Sequence, residues 1–364
     1  MDVRFVVTDK AHSYKGTVVA KSSTVTLAWN KASVAEFVVD DDHRMLTHLA
    51  ADGARVRVLV DGVQEMSGPV DELKGTFPTG DVTVTVRDDF LQLAYVLGWP
   101  KPTAAITAQD VEHKRYSGVS ETVAKNAITA ASTRLALGWT VAATAGKGTT
   151  VRVDTRFHPL ADKIIDGLIK DKLRLTVVRS EAGAVTVDVT AGAVFARPLT
   201  LESGVLDGGS WSLKAPTVTR VIVGGAGEGT ARTFGQFIDT ARETAFGFKR
   251  EQFRDARNSE AGADLSEDAA EVFEEGAPKA SVQCELAESS WFRYRAQYQV
   301  GDVVTVQVGP VSVTDVIRQV VIRDAPGEGV RVTPSVGDVV DSSDQKLAVA
   351  VGRLARGVRD QGRR

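Results

Sequence analysis

The chain has 364 residues and a mass of 38.8 kDa, which is long enough for two or three domains with sizeable cores. Its net charge of −3 and isoelectric point near 6.0 provide no bulk charge that would favour nucleic acid or a membrane surface. The single cysteine, Cys284, excludes an internal disulfide and a cysteine metal cluster, so burial and backbone pairing must hold the fold together.

No targeting or membrane-spanning segment is predicted. The first ten residues carry acidic and basic side chains where a signal peptide would need a long apolar core. No run of about eighteen apolar residues occurs, so we expect no transmembrane helix. Aromatic residues make up 6% of a chain rich in valine, threonine and glycine, a composition that favours many short strands over helix bundles.

Residues 1–98 are predicted to form a small β-barrel or sandwich, because apolar and polar residues alternate in short runs. A helical turn around Leu46 and Leu49 precedes a hairpin at Gly53, and a short helix capped by Asp88 or Asp89 follows the last strand. The predicted strands are Val3 to Val7, Val18 to Leu27, Val34 to Val39, Val56 to Val60, Val70 to Leu73 and Val82 to Val86.

Residues 99–206 change in character and predict an α+β domain. Two closely spaced prolines, Pro100 and Pro102, make a stiff boundary. An alanine-rich helical stripe runs from Ser120 to Leu137, with Ser120 as its natural cap. The remaining predicted elements are a second helix from Leu160 to Leu173 and a hairpin of Leu173 to Val178 and Val185 to Val189.

Residues 207–229 and 281–340 predict a second β-barrel domain, interrupted by an inserted helical segment at 230–280. The insertion is charged, and two sets of apolar residues in it have helical spacing. The first set is Phe234, Phe237, Ile238 and Ala241, and the second is Ala269, Val272 and Phe273.

Residues 341–364 predict a last helix and a basic tail. The helix is expected from Lys346 to Val358, and the tail arginines are Arg353, Arg356, Arg359, Arg363 and Arg364. No aromatic residues are interleaved to stack on bases, which favours a solvated, frayed end. A contact with DNA or an acidic partner is the alternative.

The two predicted β-domains carry similar sequences near opposite ends of the chain. Residues Tyr298 to Asp338 predict three short antiparallel strands that begin after the turn at Gly301. Gly53 corresponds to Gly301; Val56, Val58 and Val60 correspond to Val304, Val306 and Val308, and Val82, Val84 and Val86 parallel Val330 and Val332. We therefore predict two related small antiparallel β-barrels. The alternative is that any two hairpins look alike in a valine-rich chain.

Two glycine-rich segments could be mistaken for phosphate-binding loops. Gly224 to Gly229 follows a strand, but Thr230 occupies the place of the third glycine in the dinucleotide-binding fingerprint. Ala145 to Thr149 lacks both the upstream glycine and the hydroxyl directly after lysine that a P-loop requires. We expect ordinary turns and no nucleotide cofactor.

No metal-binding pattern is evident either. The five histidines are His12, His43, His48, His113 and His158. The interval between His43 and His48 does not stack two imidazoles on one helical face. The acidic run Asp40 to Asp42 lacks the glycine and distal glutamate of a calcium loop, which favours a solvated turn.

Catalytic patterns are missing as well. Glu274 and Glu275 have no apolar pocket that would raise a pKa. No serine lies in a nucleophile-elbow motif, and Cys284 lies in an alternating strand, where we expect it to be part of the core. The sequence therefore predicts no catalytic, cofactor-binding or metal-binding residues.

Three segments resemble the minor tail proteins of siphophages that infect actinobacteria: Val223 to Thr233, Phe246 to Arg257, and Tyr298 to Asp302. That family is similar to the ring-forming hub proteins of phage baseplates. The resemblance covers nearly the whole chain, and its motifs are structural rather than catalytic. It implies a mixed, mainly β fold of two related barrels with inserted α+β and helical segments, assembled as a trimer whose six barrels mimic a hexameric tube ring.

The resemblance also implies a location and partners. The chain would be made in the host cytoplasm and built into the tail tip of the virion. Its partners would be two further copies of itself, a distal tail or tail-tube protein, the tape-measure protein, and a central fibre or other tip proteins. Phage DNA would pass only transiently through the channel, and no stable membrane insertion is expected.

The leading hypothesis is therefore a non-enzymatic tail-tip hub that adapts a six-fold tube to three-fold tip components. A tail-associated cell-wall hydrolase is one alternative, although no acid and base share a recognisable pocket. A carbohydrate-binding module is another, although few exposed aromatic residues are evident.

Overall fold

The computed structural model of the protein describes residues 1–78, 80–257 and 264–337. It is mainly β and divides into two compact units. The first contains Met1–Gly209, Gln283–Val306 and the described residues from Thr314 onward, and the second contains Ser210–Val282 and Gln307–Val313. Within the described part of the chain, no helix has the length and apolar character needed to cross a membrane.

The amino-terminal strands form where apolar and polar residues alternate, as predicted. Phe5 and Phe37 stack in the core with ring centroids 4.1 Å apart, and the alternate valines of each strand are buried around them. The segment predicted as one strand from Val18 to Leu27 is divided between two strands. The elements are β1 (Val3–Thr8), β2 (Tyr14–Val18), β3 (Ser22–Ala28), β4 (Val34–Asp40), α1 (Leu46–Leu49), β5 (Arg55–Val60), β6 (Val63–Thr76) and β7 (Asp81–Arg87).

β6 is the longest strand of this group, and its two halves have different partners. Its first half pairs with β5 and its second half with β7, both antiparallel, with an irregular register between Val70 and Glu72. Gly68 lies at the change of partner, where an added Cβ would be 1.7 Å from the Arg87 carbonyl oxygen. A side chain would therefore prevent β6 from passing so close to the end of β7.

Residues 92–191 contain the predicted α+β elements. Ala127 and Ile128 of the long helix and Leu168 of the second helix are buried against the predicted hairpin, whose Val187 lies in the same cluster. The elements are α2 (Gln92–Tyr95), β8 (Leu97–Gly98), β9 (Lys114–Val119), α3 (Ser120–Leu135), β10 (Thr140–Val141), β11 (Thr150–Thr155), β12 (His158–Pro159), α4 (Leu160–Lys170), β13 (Leu173–Arg179) and β14 (Val185–Ala191).

The two predicted helix caps have different outcomes. The cap predicted at Ser120 is wrong, because Val119 precedes α3 at the cap position, while Ser120 is its first residue and donates its hydroxyl hydrogen to Asp171. Asp88 occupies the cap position of the 3-10 turn Asp89–Leu91 that leads into α2, although its side chain makes no cap bond there. At Ser120 a distant partner competes for the side chain that the local pattern assigned to a cap.

The chain next forms a small sheet in the second unit. β17 lies between β18 and β19, and Val221 and Val223 pack with Ala269 and Val272 of α6. The helical face predicted for Phe234 to Ile238 is wrong, because these residues form β18. The elements from here to the last hairpins are β15 (Leu199–Thr200), β16 (Leu206–Lys214), β17 (Arg220–Gly224), β18 (Phe234–Ile238), α5 (Thr240–Phe246), β19 (Glu251–Asp255), α6 (Ser266–Glu275) and β20 (Lys279–Leu286).

The predicted three-stranded segment near the carboxyl terminus is confirmed as β21 (Val303–Val308), β22 (Val311–Ala325) and β23 (Gly329–Val336). It repeats the pattern of β5, β6 and β7, one long strand between two short ones, with 6, 15 and 8 residues against 6, 14 and 7. The strand starts all lie 248 residues further along (303 − 55, 311 − 63 and 329 − 81). Gly53 and Gly301, two residues before the first strand of each set, have φ values of 77° and 91°.

β3 joins the two sets of strands, because it pairs with both β4 and β22. The order of neighbouring strands is β16-β20-β23-β22-β3-β4-β7-β6-β5-β1-β2, and β21 pairs beside this path with β15 and β22. No pairing among the described strands closes this order into a barrel. The predicted last helix and basic tail lie outside the described residues.

Candidate functional site

A polar face extends across the strands of the first unit. One row of mutually opposite residues crosses six strands, from β6 to β23. The row is Glu72, Thr85, Glu36, Thr24, Arg323 and Arg331. Acidic residues lie at the β6 end and arginines at the β23 end, so the charges of the row balance. The valines that alternate with this row form the core, which fixes the polar residues on one face.

A buried ion-pair network is centred on Asp89, which follows β7 in the chain. The carboxylate of Asp89 is 7% exposed and accepts hydrogen bonds from Arg55 at 2.6 and 2.7 Å and from Arg179 at 3.0 and 3.1 Å. Ser67 donates a further bond at 3.3 Å. Because Arg55 lies on β5 and Arg179 on β13, the carboxylate ties the amino-terminal sheet to the α+β elements.

A second network ties the same sheet to the loop that precedes β21. Glu65 of β6 accepts a hydrogen bond from the Tyr294 hydroxyl at 2.8 Å and forms an ion pair with Arg295 at 3.1 Å. Burial raises the pKa of Glu65, against the opposing effects of Tyr294 and Arg295. Nearby, Arg174 of β13 donates to the carbonyl oxygen of Val300, and burial lowers the pKa of this guanidinium.

The loop from Gly224 to Gly229 holds a cation of the protein itself. Arg232 donates to the carbonyl oxygens of Gly224 at 2.8 Å and Gly225 at 3.1 Å, and it also pairs with Asp255. An added Cβ on Gly224 would lie 2.6 Å from the guanidinium. This loop therefore presents carbonyl oxygens to an arginine, the reverse of the N–H cradle that a phosphate needs.

The loop from Ala145 to Thr149 does present N–H groups to anions, but the anions are side chains of the protein. Ala145 and Lys147 donate backbone N–H groups to the buried carboxylate of Glu121, at 3.0 and 2.7 Å. Thr149 donates its N–H to Asp171 at 2.8 Å. Burial would raise the pKa of Glu121, but hydrogen bonds from the Lys125 ammonium and from the N–H groups of Lys147 and Ala145 lower it to about 2. The loop is structural.

The remaining candidates lie apart from one another. His43 accepts a hydrogen bond from the Met45 N–H, and Asp40 accepts one from Lys21. Cys284 is buried as predicted, and burial raises the pKa of its thiol to about 11. Among the described residues, no group of three or more metal-ligating side chains is arranged to hold an ion. The arginines of the predicted tail fall outside the described part of the chain.

Sequence reasoning did not identify the two ion-pair networks or the six-stranded polar row. Each brings together residues that are far apart in the chain, such as Glu65 with Tyr294. The signal that could have indicated the row is the run of threonine and charged residues alternating with buried valines in β3, β4 and β7.

Comparison with known proteins finds similarity over nearly the whole chain. The family model described as Siphovirus ReqiPepy6 Gp37-like protein matches residues 4–338. The chain is similar to the 43 kDa tail protein of prophage MuSo2 from Shewanella oneidensis, with a TM-score of 0.55, 11% identity, and coverage of 92% of this chain and 98% of that one. It is equally similar to prophage tail protein gp18 from Listeria monocytogenes, with a TM-score of 0.55, 11% identity, and coverage of 99% and 100%.

A tail protein from Neisseria meningitidis is also similar, with a TM-score of 0.51, 12% identity, and coverage of 93% of this chain and 97% of that one. No curated protein matches the chain in sequence. At these identities the structural matches establish a shared fold over nearly the full length of each chain.

Proposed function

The chain belongs to the Siphovirus ReqiPepy6 Gp37-like family, and we propose that it is a structural protein of a phage tail that acts as the baseplate hub at the tail tip. The family match confirms the predicted resemblance to siphophage tail proteins. The shared fold with three prophage tail proteins supports a place in the virion tail rather than an enzymatic role.

The repeated set of three strands carries this proposal. β5, β6 and β7 recur as β21, β22 and β23 with the same order, a long central strand and the same chain spacing. A chain with two similar halves can occupy two neighbouring positions in a six-fold ring, so three copies supply six positions while keeping three-fold symmetry. Such a ring is suited to joining a six-fold tail tube to three-fold tip components.

The polar row across β6, β7, β4, β3, β22 and β23 is suited to lining the channel of that ring. Its threonines and balanced charges offer no strong field to a polyanion, so DNA could pass without being held. The partners in this arrangement are two further copies of the chain, a tail-tube or distal tail protein above, the tape-measure protein within, and a fibre or other tip proteins below.

The proposal is tested by the mass of the assembled protein. Mass photometry of the purified chain is expected to show a species of about 116 kDa, three times the 38.8 kDa of one chain. A reconstruction of the tail tip should show three copies, each providing two similar strand sets to one ring. A monomer at every concentration, together with its absence from the tail-tip ring or the presence of six copies there, would contradict the proposal.

A further inference from the structure

We propose that the ring closes by β-sheet pairing between copies, in which the free edge of β6 in one copy pairs antiparallel with β16 of the next copy. This proposal rests on the proposed hub function and names the surfaces through which the copies meet. The occupant of each edge is a second copy of this chain.

The second half of β6 is an open sheet edge. Its pairing with β5 ends at Pro69, Asp71 lies at the irregularity in register, and among the described strands residues 72–76 pair with β7 alone. Glu72 and Lys74 point to the polar face, because they lie opposite Thr85 and Thr83. An edge of this length leaves a row of backbone donors and acceptors that another strand can pair with.

Leu73 and Gly75, which alternate with these residues, face the apolar side of the sheet. Leu73 lies opposite Val84 and Gly75 opposite Val82, and both valines are buried. Leu73 is half-buried, and Gly75 leaves an exposed gap where a side chain would be. The edge therefore alternates charged residues on one face with an apolar residue and a gap on the other.

β16 is an open edge as well, since β20 is its neighbour and no further described strand lies beyond it. The hydroxyl groups of Ser212 and Ser281 are 2.9 Å apart, which places Ser212 on the polar face of β16. Trp211 and Leu213 alternate with Ser212 and face the opposite side, where they are 44% and 55% exposed. One edge of the Trp211 indole lies beside Gly309 of the same chain, 3.5 Å from where a Cβ would be, and the rest of the ring is exposed. Two large apolar side chains on one side of an open edge are an interaction surface.

The two edges match in one antiparallel register. With Glu72 opposite Lys214, the polar face pairs an acid with a base, and Thr76 lies opposite Ser210. On the apolar side, Leu73 then lies opposite Leu213, and the Trp211 indole lies over the gap at Gly75. The five residues from 72 to 76 each face a residue of β16, while Asp71 stays paired with Arg87 of its own chain.

A parallel arrangement does not match. Side chains of opposite residues must lie on the same face, so Glu72 opposite Ser210 brings Thr76 opposite Lys214, and Glu72 opposite Ser212 brings the like charges of Lys74 and Lys214 opposite each other. The acid and base would then be separated along the strands. The antiparallel register is therefore the one in which the charges and the apolar residues match together.

Engineered disulfides test the register. Lys74 and Ser212 are predicted to lie opposite each other in neighbouring copies, where Cβ atoms of such pairs are about 5 Å apart. Oxidation of the Lys74→Cys/Ser212→Cys variant should give covalent trimers on a non-reducing gel, and reductant should remove them. Native Cys284 is buried and is kept. The matched control, Lys74→Cys/Lys214→Cys, places the thiols two residues out of register and should cross-link at least fivefold less.

Charge reversal provides an independent measurement. Glu72→Lys should raise the concentration at which trimers form several-fold, since it places like charges opposite each other at each of the three contacts between copies. Adding Lys214→Glu to the same chain should restore the wild-type value. A wild-type trimer that shows neither the cross-link nor the restoration would overturn the proposed pairing and leave the hub function standing. A chain that never trimerises would overturn both.

Discussion

The buried carboxylate of Asp89 offers the sharpest test of what holds the first unit together. Asp89→Asn keeps the size of the side chain but removes the charge that Arg55 and Arg179 share. Both guanidiniums are largely buried, with side chains 15% and 20% exposed, and all four of their bonds to the carboxylate are 3.1 Å or shorter. The variant leaves two buried positive charges facing an amide whose N–H groups are also donors.

Removing one partner of a buried ion pair typically costs about 3–5 kcal/mol, because the remaining charge has lost its compensation. That is a large fraction of the roughly 5–15 kcal/mol that stabilises a typical folded domain. We expect Asp89→Asn to lower strongly the urea concentration at the midpoint of the first unfolding transition. Tryptophan fluorescence measures that transition. The loss should persist in about 0.5 M salt, since buried pairs are poorly screened.

The matched control is Asp71→Asn. Asp71 pairs with Arg87 at 2.8 Å, but both side chains are exposed, at 44% and 43%. Exposed pairs contribute about 0–1 kcal/mol and weaken with salt, so this variant should unfold close to the wild type. If Asp89→Asn and Asp71→Asn lose the same stability, or if salt abolishes the loss in Asp89→Asn, the carboxylate does not act as the buried tie described above.

Two further predictions concern a titrating carboxylate and a close backbone approach. Burial raises the pKa of Asp88 from 3.8 to about 6, so the folded chain holds a proton that the unfolded chain releases, and stability falls as pH rises through this window. The free energy of unfolding of Asp88→Asn, measured in urea melts, should therefore increase relative to that of the wild type by about 1 kcal/mol between pH 5 and pH 8. If the difference in stability between the two proteins is the same at both pH values, Asp88 does not titrate in this window. Gly68→Ala should prevent folding at 37 °C, as seen by circular dichroism, because its Cβ would lie 1.7 Å from a carbonyl oxygen. Gly75→Ala, whose Cβ would have Val82 Cγ2 as its nearest neighbour at 3.6 Å, should fold, and equal behaviour of the two variants would refute the steric argument.

Local patterns predicted most strands because each strand buries alternate residues on one face. The correspondence of Gly53 with Gly301 was visible for the same reason, since each glycine precedes a valine-alternating strand. The pairing of β3 with β22 was not predictable in this way. It depends on the register between segments almost 300 residues apart, and no local signal specifies that register.

The error at β18 has a specific cause. Phe234, Phe237 and Ile238 have a spacing that fits one face of a helix, but Phe234 and Ile238 are exposed, while Phe237 packs on the core of the second unit. The burial follows the period of a strand, in which Gly235 and Phe237 share one side. A short segment with three apolar residues cannot distinguish these periods, and the neighbouring strand β17 decides between them.

The two three-stranded sets do not differ in the spacing of their strand starts, whereas the segments between the sets are not repeated, and this contrast bears on the proposed ring. Both three-stranded sets keep the same spacing from first to last strand, so neither has gained or lost a residue between its strand starts relative to the other. The α+β elements and residues Ser210–Val282 of the second unit lie between the sets, where extra residues leave the spacing of the strands unchanged. Strands that occupy equivalent places in a ring must keep the same register, because a one-residue slip turns every side chain to the other face. Segments that lie outside the equivalent strands are free of this constraint. The constant offset of 248 residues therefore agrees with a selection for equivalence of the two sets, and it accounts for why the two halves of the chain differ so much elsewhere.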